Sequence, residues 1–453
     1  MPFYTLNEHM DDSLRKILNA GLVAANPRER VREIMSTKDS CIRVMGKEYC
    51  GYNKVYVAGF GKAARGMAEG VYDTLNGKVE DGFIIVPKGS PSNPIGRIKV
   101  LEGEHPLPDG LTLTSSLRLL DFVSKLPKDS LLILLISGGG SALFEVPADN
   151  ISLEDISHTA SMLMNSGADI VELNAVRKHL SKVKGGQLVR YINSEKTISL
   201  IISDVVGDRL DSIASGPTAP DNTTFEDALS VIKKYGLLEK IPRSVRKHIE
   251  KGIRSQVPET VKPGDPILSK VDNFIIASNI ISLKAMENTA IHEGWRAFIL
   301  TSRMRGEARE VAKMLAGIIE SITFEEKPLP PHVVLLAGGE TTVTVTGKGI
   351  GGRNQELCLS LLMELGQNKL DYTAACMGSD GIDGTSPAAG AYIDNTLLSK
   401  AYERNLDPKQ YLLENNSYGF FKQLKRTIDT GYTGTNVNDF LVVVIRKPLH
   451  EGN

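Results

Sequence analysis

Glycine-rich stretches that follow apolar segments carry the residues best suited to chemistry in this sequence. Four glycines lie among the six residues 347–352, and Arg353 follows them directly. Apolar residues then repeat at helical spacing up to Leu365, so a helix is predicted to begin at Arg353. Helix N-termini favour anions, and an arginine adds a fork of N–H donors. We therefore predict a phosphate or carboxylate site at Arg353 whose ligand orders the loop. The alternative is a surface hairpin with a solvated arginine.

A second glycine-rich stretch follows the apolar run 131–136 and consists of Ser137, Gly138, Gly139, Gly140 and Ser141. Successive glycines at a strand end can present several backbone N–H groups, and the serines add two hydroxyls. This combination predicts a nest that binds the phosphate groups of a nucleotide. Glycines that only allow close packing of a helix on the sheet are the alternative.

Lys62 lies in a glycine turn that follows a predicted strand and precedes a predicted helix. Gly59, Gly61 and Ala64 around it fit the loose dinucleotide pattern G-x-G-x-x-A. That pattern also expects an acidic residue at the end of the next strand, where this sequence has Val-Pro-Lys at 86–88. We therefore interpret Lys62 as a cation at a helix start that contacts a phosphate. A solvated lysine in a tight turn and an NAD(P)-linked oxidoreductase are the alternatives.

Asp204 follows the apolar run 200–202. Ligands of open α/β sheets bind at the carboxyl ends of strands. Asp204 is therefore predicted to take a proton from a substrate hydroxyl or to hold Mg²⁺, whereas Asp208 is expected to cap a loop. Asp380 and Asp383, in the glycine-rich run 378–384, can either bind a metal or form turns.

Two further groups of side chains have both a structural and a functional interpretation. His105 lies in a proline-containing loop after a short predicted strand, where it can be structural or face a ligand. Five basic residues lie between 177 and 184 and are predicted to form a solvated helix face: Arg177, Lys178, His179, Lys182 and Lys184. Phosphoryl transfer needs positioned positive groups, a metal and an oriented hydroxyl. The lysine, arginine, aspartate and glycine nests together predict a small-molecule kinase.

The elements that must position these residues alternate between apolar strands and amphipathic helices. This alternation predicts an α/β protein whose N-terminal domain is Rossmann-like with a mainly parallel sheet. A segment at 255–265 that contains proline and glycine separates two such series, so domains are predicted at 1–262 and 263–453. A strand is also predicted at 341–346 and a helix at 171–188.

Composition indicates an ordinary globular chain. Lys plus Arg number 53 and Asp plus Glu 54, so no nucleic acid or anionic membrane is expected as a partner. No long apolar segment or signal peptide is recognised. The four cysteines are scattered, so a disulfide framework or zinc site is not expected and a cytoplasmic location is. A homodimer is a guess.

Together these motifs resemble the type-2 glycerate kinase family, whose C-terminal half is called MOFRL. The resemblance covers nearly the whole chain. In the first half it includes the motifs at 58–63, 105–109, 137–142 and 203–208, Asn174 with Arg177 and Lys178, and Ser215-Gly216-Pro217. In the second half it includes the motifs at 338–342, 351–356, 378–384 and 433–439.

The resemblance implies a Rossmann-like N-terminal domain, a smaller α/β C-terminal domain of MOFRL type, and a cleft between them. It implies ATP-dependent phosphorylation of D-glycerate with Mg²⁺ or another divalent cation. Lys62, Asp204 and Arg353 would be catalytic. Asp204 would contact a Mg²⁺ that is bound through the nucleotide phosphates. Substrate contacts would come from His105, Asn174, Arg353 and Asn354. Of the two products known in the family we prefer 2-phosphoglycerate to 3-phosphoglycerate. A non-catalytic small-anion-binding protein is a further alternative.

Overall fold

The structure is a computed structural model that describes residues 4, 6–7, 9–52, 54–75, 77–366 and 370–446. The chain forms two compact units. Pro27–Ile276 form the N-terminal unit. The C-terminal unit consists of the residues from Ala277 onwards together with those up to Asn26. The two units divide after residue 276, whereas the sequence predicts a domain boundary after residue 262. The boundary between the functional domains stays a prediction.

Fifteen strands are present in the described residues. In chain order they are β1 Met35–Lys38, β2 Cys41–Val44, β3 Lys47–Tyr49, β4 Val55–Phe60, β5 Val79–Pro87, β6 Ile98–Gly103, β7 Leu131–Ile136, β8 Lys196–Ile202, β9 Val271–Ala277, β10 Arg296–Met304, β11 Val333–Gly339, β12 Tyr372–Gly378, β13 Gly390–Asp394, β14 Thr427–Ile428 and β15 Asp439–Ile445.

Sixteen α-helices accompany these strands in the same part of the chain. They are α1 Asp12–Ala24, α2 Pro27–Ile34, α3 Ala64–Leu75, α4 Gly110–Ser124, α5 Gly140–Leu143, α6 Leu153–Asn165, α7 Ile170–His179, α8 Leu188–Tyr191, α9 Phe225–Lys234, α10 Arg243–Ile253, α11 Asn279–His292, α12 Ala308–Glu320, α13 Arg353–Leu365, α14 Leu397–Glu403, α15 Pro408–Leu413 and α16 Ser417–Leu424.

The N-terminal unit is built on a six-stranded sheet with the order β6-β5-β4-β7-β8-β9. Strands β4 to β8 pair in parallel, and every residue of β7 is buried. The chain runs outward from β4 to β6 in one direction and from β7 to β9 in the other. Consequently β4 and β7 are neighbours at the point where the strand order reverses. In doubly wound sheets this switch point is where ligands bind.

The C-terminal unit has a mixed sheet with the order β10-β11-β15-β12-β13-β14. Strand β11 pairs in parallel with β10, whereas β15 pairs antiparallel with both β11 and β12. The carboxyl ends of β11 and β12 therefore flank the beginning of β15, where Asp439 is aligned with Gly339 and Gly378. The predicted α/β architecture, with a mainly parallel sheet in the N-terminal part, is confirmed, and the structure adds that the C-terminal sheet is mixed.

Two predicted elements are wrong. Residues 341–346 form only an isolated bridge at Thr342 rather than a strand, because their amides bond to other loops. The helix predicted at 171–188 ends at His179, and α8 starts only at Leu188. Gly185 and Gly186 both have left-handed φ values between them, which interrupts the helix.

The cysteine prediction also needs correction. Cys41, at the start of β2, and Cys50, directly after β3, form a disulfide in the small sheet β1-β2-β3. The antiparallel pairing of β2 and β3 brings the two ends of this hairpin together. Cys358 and Cys376 are free and buried. Across the described chain, no helix is both long and apolar enough to cross a membrane.

Candidate active site

The turn after β4 and the turn after β7 are bonded to each other at the switch point of the N-terminal unit. The Lys62 amide donates to the Gly138 carbonyl at 2.9 Å, and the Ala63 amide donates to Ser137 Oγ at 3.0 Å. Ser137 is only 1% exposed, so its hydroxyl is a structural acceptor inside the turn. A Cβ on Gly61 would lie 2.2 Å from this Oγ. The glycines around Lys62 thus allow close packing of two strand ends in a tight turn.

Three polar side chains converge on the triple glycine. A Cβ built on Gly138 would lie 2.3 Å from Asp204 Oδ2. One built on Gly139 would lie 3.2 Å from His105 Nε2 and 3.3 Å from Lys62 Cγ. The ends of β4, β6, β7 and β8 therefore bring the side chains of Lys62, His105 and Asp204 together around these glycines. Each of the three is half-buried.

Burial lowers the pKa of His105, and the nearby Lys62 ammonium lowers it further. Both effects disfavour the imidazolium. At neutral pH His105 is therefore an uncharged group that can donate one hydrogen bond and accept another. The positive charge of this site then comes from Lys62.

Ser141, Ser215 and Asn174 form a polar chain behind the glycines. Ser141 Oγ lies 2.8 Å from Ser215 Oγ, which donates to Asn174 Oδ1 at 3.2 Å. Arg177 Nη2 donates to the Ser141 carbonyl at 3.2 Å. Ser215 has a left-handed φ of 61°, as has Ala214 at 50°. Strained backbone of this kind is common at functional sites, and no sequence pattern revealed it.

The basic segment is not a solvated helix face. Lys178, His179 and Lys184 are 3%, 2% and 1% exposed. Lys184 Nζ lies 2.8 Å from the equally buried Glu145, and Lys178 Nζ lies 3.2 Å from Asp221. A buried ammonium needs a buried partner, and these partners lie far away in the sequence. The prediction was wrong because the periodicity of the segment shows its own charges but not the carboxylates that meet them.

Arg353, in the C-terminal unit, is held by two carboxylates. Its Nε and Nη2 donate to Asp439 at 2.6 and 3.0 Å, and its Nη1 donates to Glu340 at 2.7 Å. Asp439 is 1% exposed, whereas Glu340 is 46% exposed. Burial raises the pKa of Asp439 to about 7 against the opposing effect of Arg353. Two acids beside one arginine make this location less attractive to an anion than the sequence alone suggested.

The carboxylate of Asp383, from another segment of the chain, lies at the start of α13. Asp383 accepts hydrogen bonds from the Asn354 amide at 3.0 Å, the Gln355 amide at 2.8 Å and Asn354 Nδ2 at 3.1 Å. Asp383 and Asn354 are 1% and 3% exposed. Burial raises the pKa of Asp383, and these hydrogen bonds oppose the rise. The helix begins at Arg353 as predicted, and the anion that favours its N-terminus belongs to the chain.

The glycine loop before α13 packs against the segment 414–417. A Cβ on Gly347 would lie 2.2 Å from the Glu414 carbonyl oxygen, and one on Gly349 would lie 2.4 Å from Asn416 Cβ. Asn415 Oδ1 accepts the Gly347 amide at 2.8 Å. These glycines permit close contact within the unit, so a ligand is not needed to order the loop. A cavity of about 520 Å³ lies beside it, and Arg353 is among its lining residues.

The remaining two aspartates, Asp208 and Asp380, have structural roles in turns. Asp208 has a left-handed φ of 55°, and its amide donates to the Val205 carbonyl in a turn. Asp380 accepts the Ile382 amide at 3.1 Å, as in an Asx turn. Among the described residues the one three-ligand cluster is Cys41, Glu48 and Cys50, and its cysteines are joined as a disulfide. Mg²⁺ bound mainly by nucleotide phosphates needs only one or two protein carboxylates, which Asp204 fits.

Comparison with known proteins decides the family. Residues 13–250 match the family model described as "Domain of unknown function (DUF4147)", and residues 333–439 match the MOFRL family. A glycerate 2-kinase of Pyrococcus horikoshii is 43% identical over 95% of this chain and 96% of its own length. The chain belongs to the type-2 glycerate kinase family. The resemblance seen in the motifs is thereby confirmed.

Other members of this glycerate kinase family agree in sequence and in fold. A D-glycerate 2-kinase of Thermotoga maritima is 38% identical over 87% of this chain and 91% of its own length. A crystal structure of a glycerate kinase from Thermotoga maritima superposes with a TM-score of 0.84 at 36% identity. It covers 95% of this chain and 98% of that one.

Proposed function

We propose that this chain transfers the terminal phosphoryl group of ATP to D-glycerate and forms 2-phosphoglycerate. The observation that carries the proposal is the convergence of Lys62, His105 and Asp204 on Gly138 and Gly139 at the switch point of the parallel sheet. Membership of the glycerate kinase family, with relatives named as 2-kinases, supports both the reaction and the product. The glycine nest at 137–141 is the proposed location of the nucleotide phosphates.

The converging groups have different tasks in the transfer. The glycerate hydroxyl oxygen attacks the terminal phosphorus while the bond from that phosphorus to the bridging oxygen of ATP breaks. The bridging oxygen leaves with the bonding electrons as part of ADP. Lys62 offsets the negative charge of the phosphoryl oxygens. Asp204 orients the hydroxyl and accepts its proton, and neutral His105 hydrogen-bonds the substrate.

Mg²⁺ is the proposed metal, and Asp204 is the residue that would hold it. Bound to the nucleotide, the metal supplies positive charge against the phosphate oxygens. Asp204 can hold the metal or accept the proton of the hydroxyl, and the two roles predict different effects of the same substitution. Asp204→Asn would raise the metal concentration needed for half-maximal rate in the first case, and would lower kcat at saturating metal in the second.

Arg353 and its neighbour Asn354 are proposed to contact substrate in the C-terminal unit. The contact would use Arg353 Nη1, because its present partner Glu340 is exposed and can be exchanged for a substrate carboxylate. Nε and Nη2 would stay on the buried Asp439. Asn174, which bonds to Ser215, would act from behind the glycine nest by positioning it.

The proposal is tested by an ADP-release assay over a panel of small hydroxy acids, followed by phosphorus NMR of the product. D-glycerate should be the best acceptor, and the product should give the signal of 2-phosphoglycerate. A 3-phosphoglycerate signal would overturn the regiochemistry alone. Titration with NADH should give no saturable fluorescence change; a saturable change with no ADP release would instead support the oxidoreductase alternative.

A further inference from the structure

A second cavity in the N-terminal unit is lined by basic side chains. It has a volume of about 780 Å³. Its polar lining includes Lys182, Arg190, Arg243, Lys247 and Lys251. These residues come from the segments around α8 and α10, and none of them belongs to the candidate active site.

Among the residues that the structure describes, most of these cations have no acidic partner. Lys182 Nζ pairs with Asp149 at 2.6 Å, and Asp149 is the one acidic residue in the lining. Within the described chain, no carboxylate lies at ion-pair distance from Arg190, Arg243, Lys247 or Lys251. By contrast, Arg246 of the same helix α10 is paired with Glu239 and Glu250. The cavity therefore concentrates uncompensated positive charge.

The lining also contains a cluster of aromatic rings, here called the aromatic floor, next to buried polar groups. Phe225 and His179 are 3% and 2% exposed, and their ring centroids are 4.6 Å apart. The His248 ring lies 5.7 Å from that of Phe225, and its Nε2 donates to the His179 carbonyl at 3.0 Å. The His179 imidazole itself is bonded to Glu259 at 2.7 Å. Because these rings are part of the lining, an organic group can contact them while an anionic group meets the basic side chains of the rim.

We propose that this basic cavity is a binding site for a small organic molecule that carries phosphate groups. Like charges around a concave surface repel one another, and the field they focus into it attracts an anion. The cavity volume lies in the range of small-molecule pockets. It is larger than a bare phosphate requires. A multiply charged phosphate ester satisfies both the charge of the rim and the aromatic floor.

Calorimetric titration of the full chain with inorganic pyrophosphate and with 1-naphthyl phosphate tests this assignment. The cavity variant is Arg243→Ala/Lys247→Ala, which changes two exposed side chains of the rim. The matched control is Lys233→Ala/Lys240→Ala, which removes the same charge from exposed positions outside the cavity. The active site can also bind these anions. The affinity that is compared is therefore that of the binding event that the cavity variant weakens and the control variant leaves unchanged.

The wild type and the control should show a pyrophosphate-binding event that is weakened roughly tenfold or more in the cavity variant. Added salt should weaken the same event, because the rim is exposed. 1-Naphthyl phosphate should bind the cavity as well, since its ring can use the aromatic floor. Equal affinity in both variants, or no such event in the wild type, would overturn the site. Binding of pyrophosphate without naphthyl phosphate would overturn the organic part of the assignment. None of these outcomes depends on the rate of glycerate phosphorylation.

Discussion

Gly138 and Asp204 approach each other so closely that a Cβ atom on Gly138 would lie 2.3 Å from Asp204 Oδ2. Real Cβ atoms do not come this near to another atom. The absence of a side chain at 138 is therefore what allows the carboxylate to sit against the strand end. This contact links the first of the three glycines to the proposed base rather than to the phosphates alone.

Gly138→Ala should displace the Asp204 carboxylate and lower kcat by about 100-fold, the scale of losing a well-positioned acid–base group. The protein should remain folded, because Asp204 is half-buried and can move. Gly110→Ala is the matched control, since a Cβ there meets nothing within 4 Å. Steady-state kinetics of the two variants, with circular dichroism as a folding check, gives the comparison. Equal activity would mean that the Asp204 position does not matter.

His105 should titrate below the ordinary histidine pKa, and part of that depression should come from Lys62. Lys62→Met removes the charge and keeps most of the side chain. Histidine proton NMR should then show the pKa of His105 rising towards, but not reaching, that of an ordinary histidine, because the larger cause is burial. An unchanged pKa of His105 would show that the charge of Lys62 does not act on the imidazole in solution.

Removing Arg353 should destabilise the fold as well as the reaction. Arg353→Ala leaves Asp439 buried and unpaired, which costs about 3 kcal/mol, the lower end for a buried pair, since Arg353 is 32% exposed. Chemical denaturation should show this loss at pH 8, and Arg353→Ala/Asp439→Asn should recover most of it. If the double variant regains stability but not turnover, Arg353 has a role in the reaction beyond holding Asp439. Full turnover in either variant would remove Arg353 from the mechanism.

Stability should also depend on the ionisation of Asp439. Its pKa is raised from 3.8 to about 7 in the folded chain, so the folded state binds more protons than the unfolded state between these values. The contribution of Asp439 is therefore fully present below pH 4 and is lost as the pH rises through 7. The free energy of unfolding of the wild type minus that of Asp439→Asn should fall across this window. A difference that stays flat or rises would contradict the raised pKa.

The parallel sheet and the groups at its strand ends were predictable from sequence. Strands such as β7 are buried on both faces and therefore read as uninterrupted apolar runs. Polar residues that directly follow such runs must lie at the carboxyl edge, which is how Lys62, Gly138 and Asp204 could be grouped. The start of α13 at Arg353 was predictable for the same kind of reason, from spacing within one element.

Contacts between distant segments were not predictable in this way. Arg353 meets Asp439 across 86 residues, and Lys184 meets a buried Glu145 rather than solvent. The glycine loop before α13 is ordered by the segment 414–417, which no local pattern indicates. A sequence shows which charges are present, but a buried pair is defined only when both of its members are placed.

The most direct test of the proposed phosphoryl transfer is the rate of ADP formation with saturating ATP, Mg²⁺ and D-glycerate in Asp204→Asn. The matched control is Asp208→Asn, a neighbouring carboxylate in a turn. We expect Asp204→Asn to lower kcat by about 100-fold or more, whereas Asp208→Asn should stay within about twofold of the wild type. Asp204→Asn with more than half of the wild-type kcat would contradict the central claim that Asp204 accepts the proton of the hydroxyl.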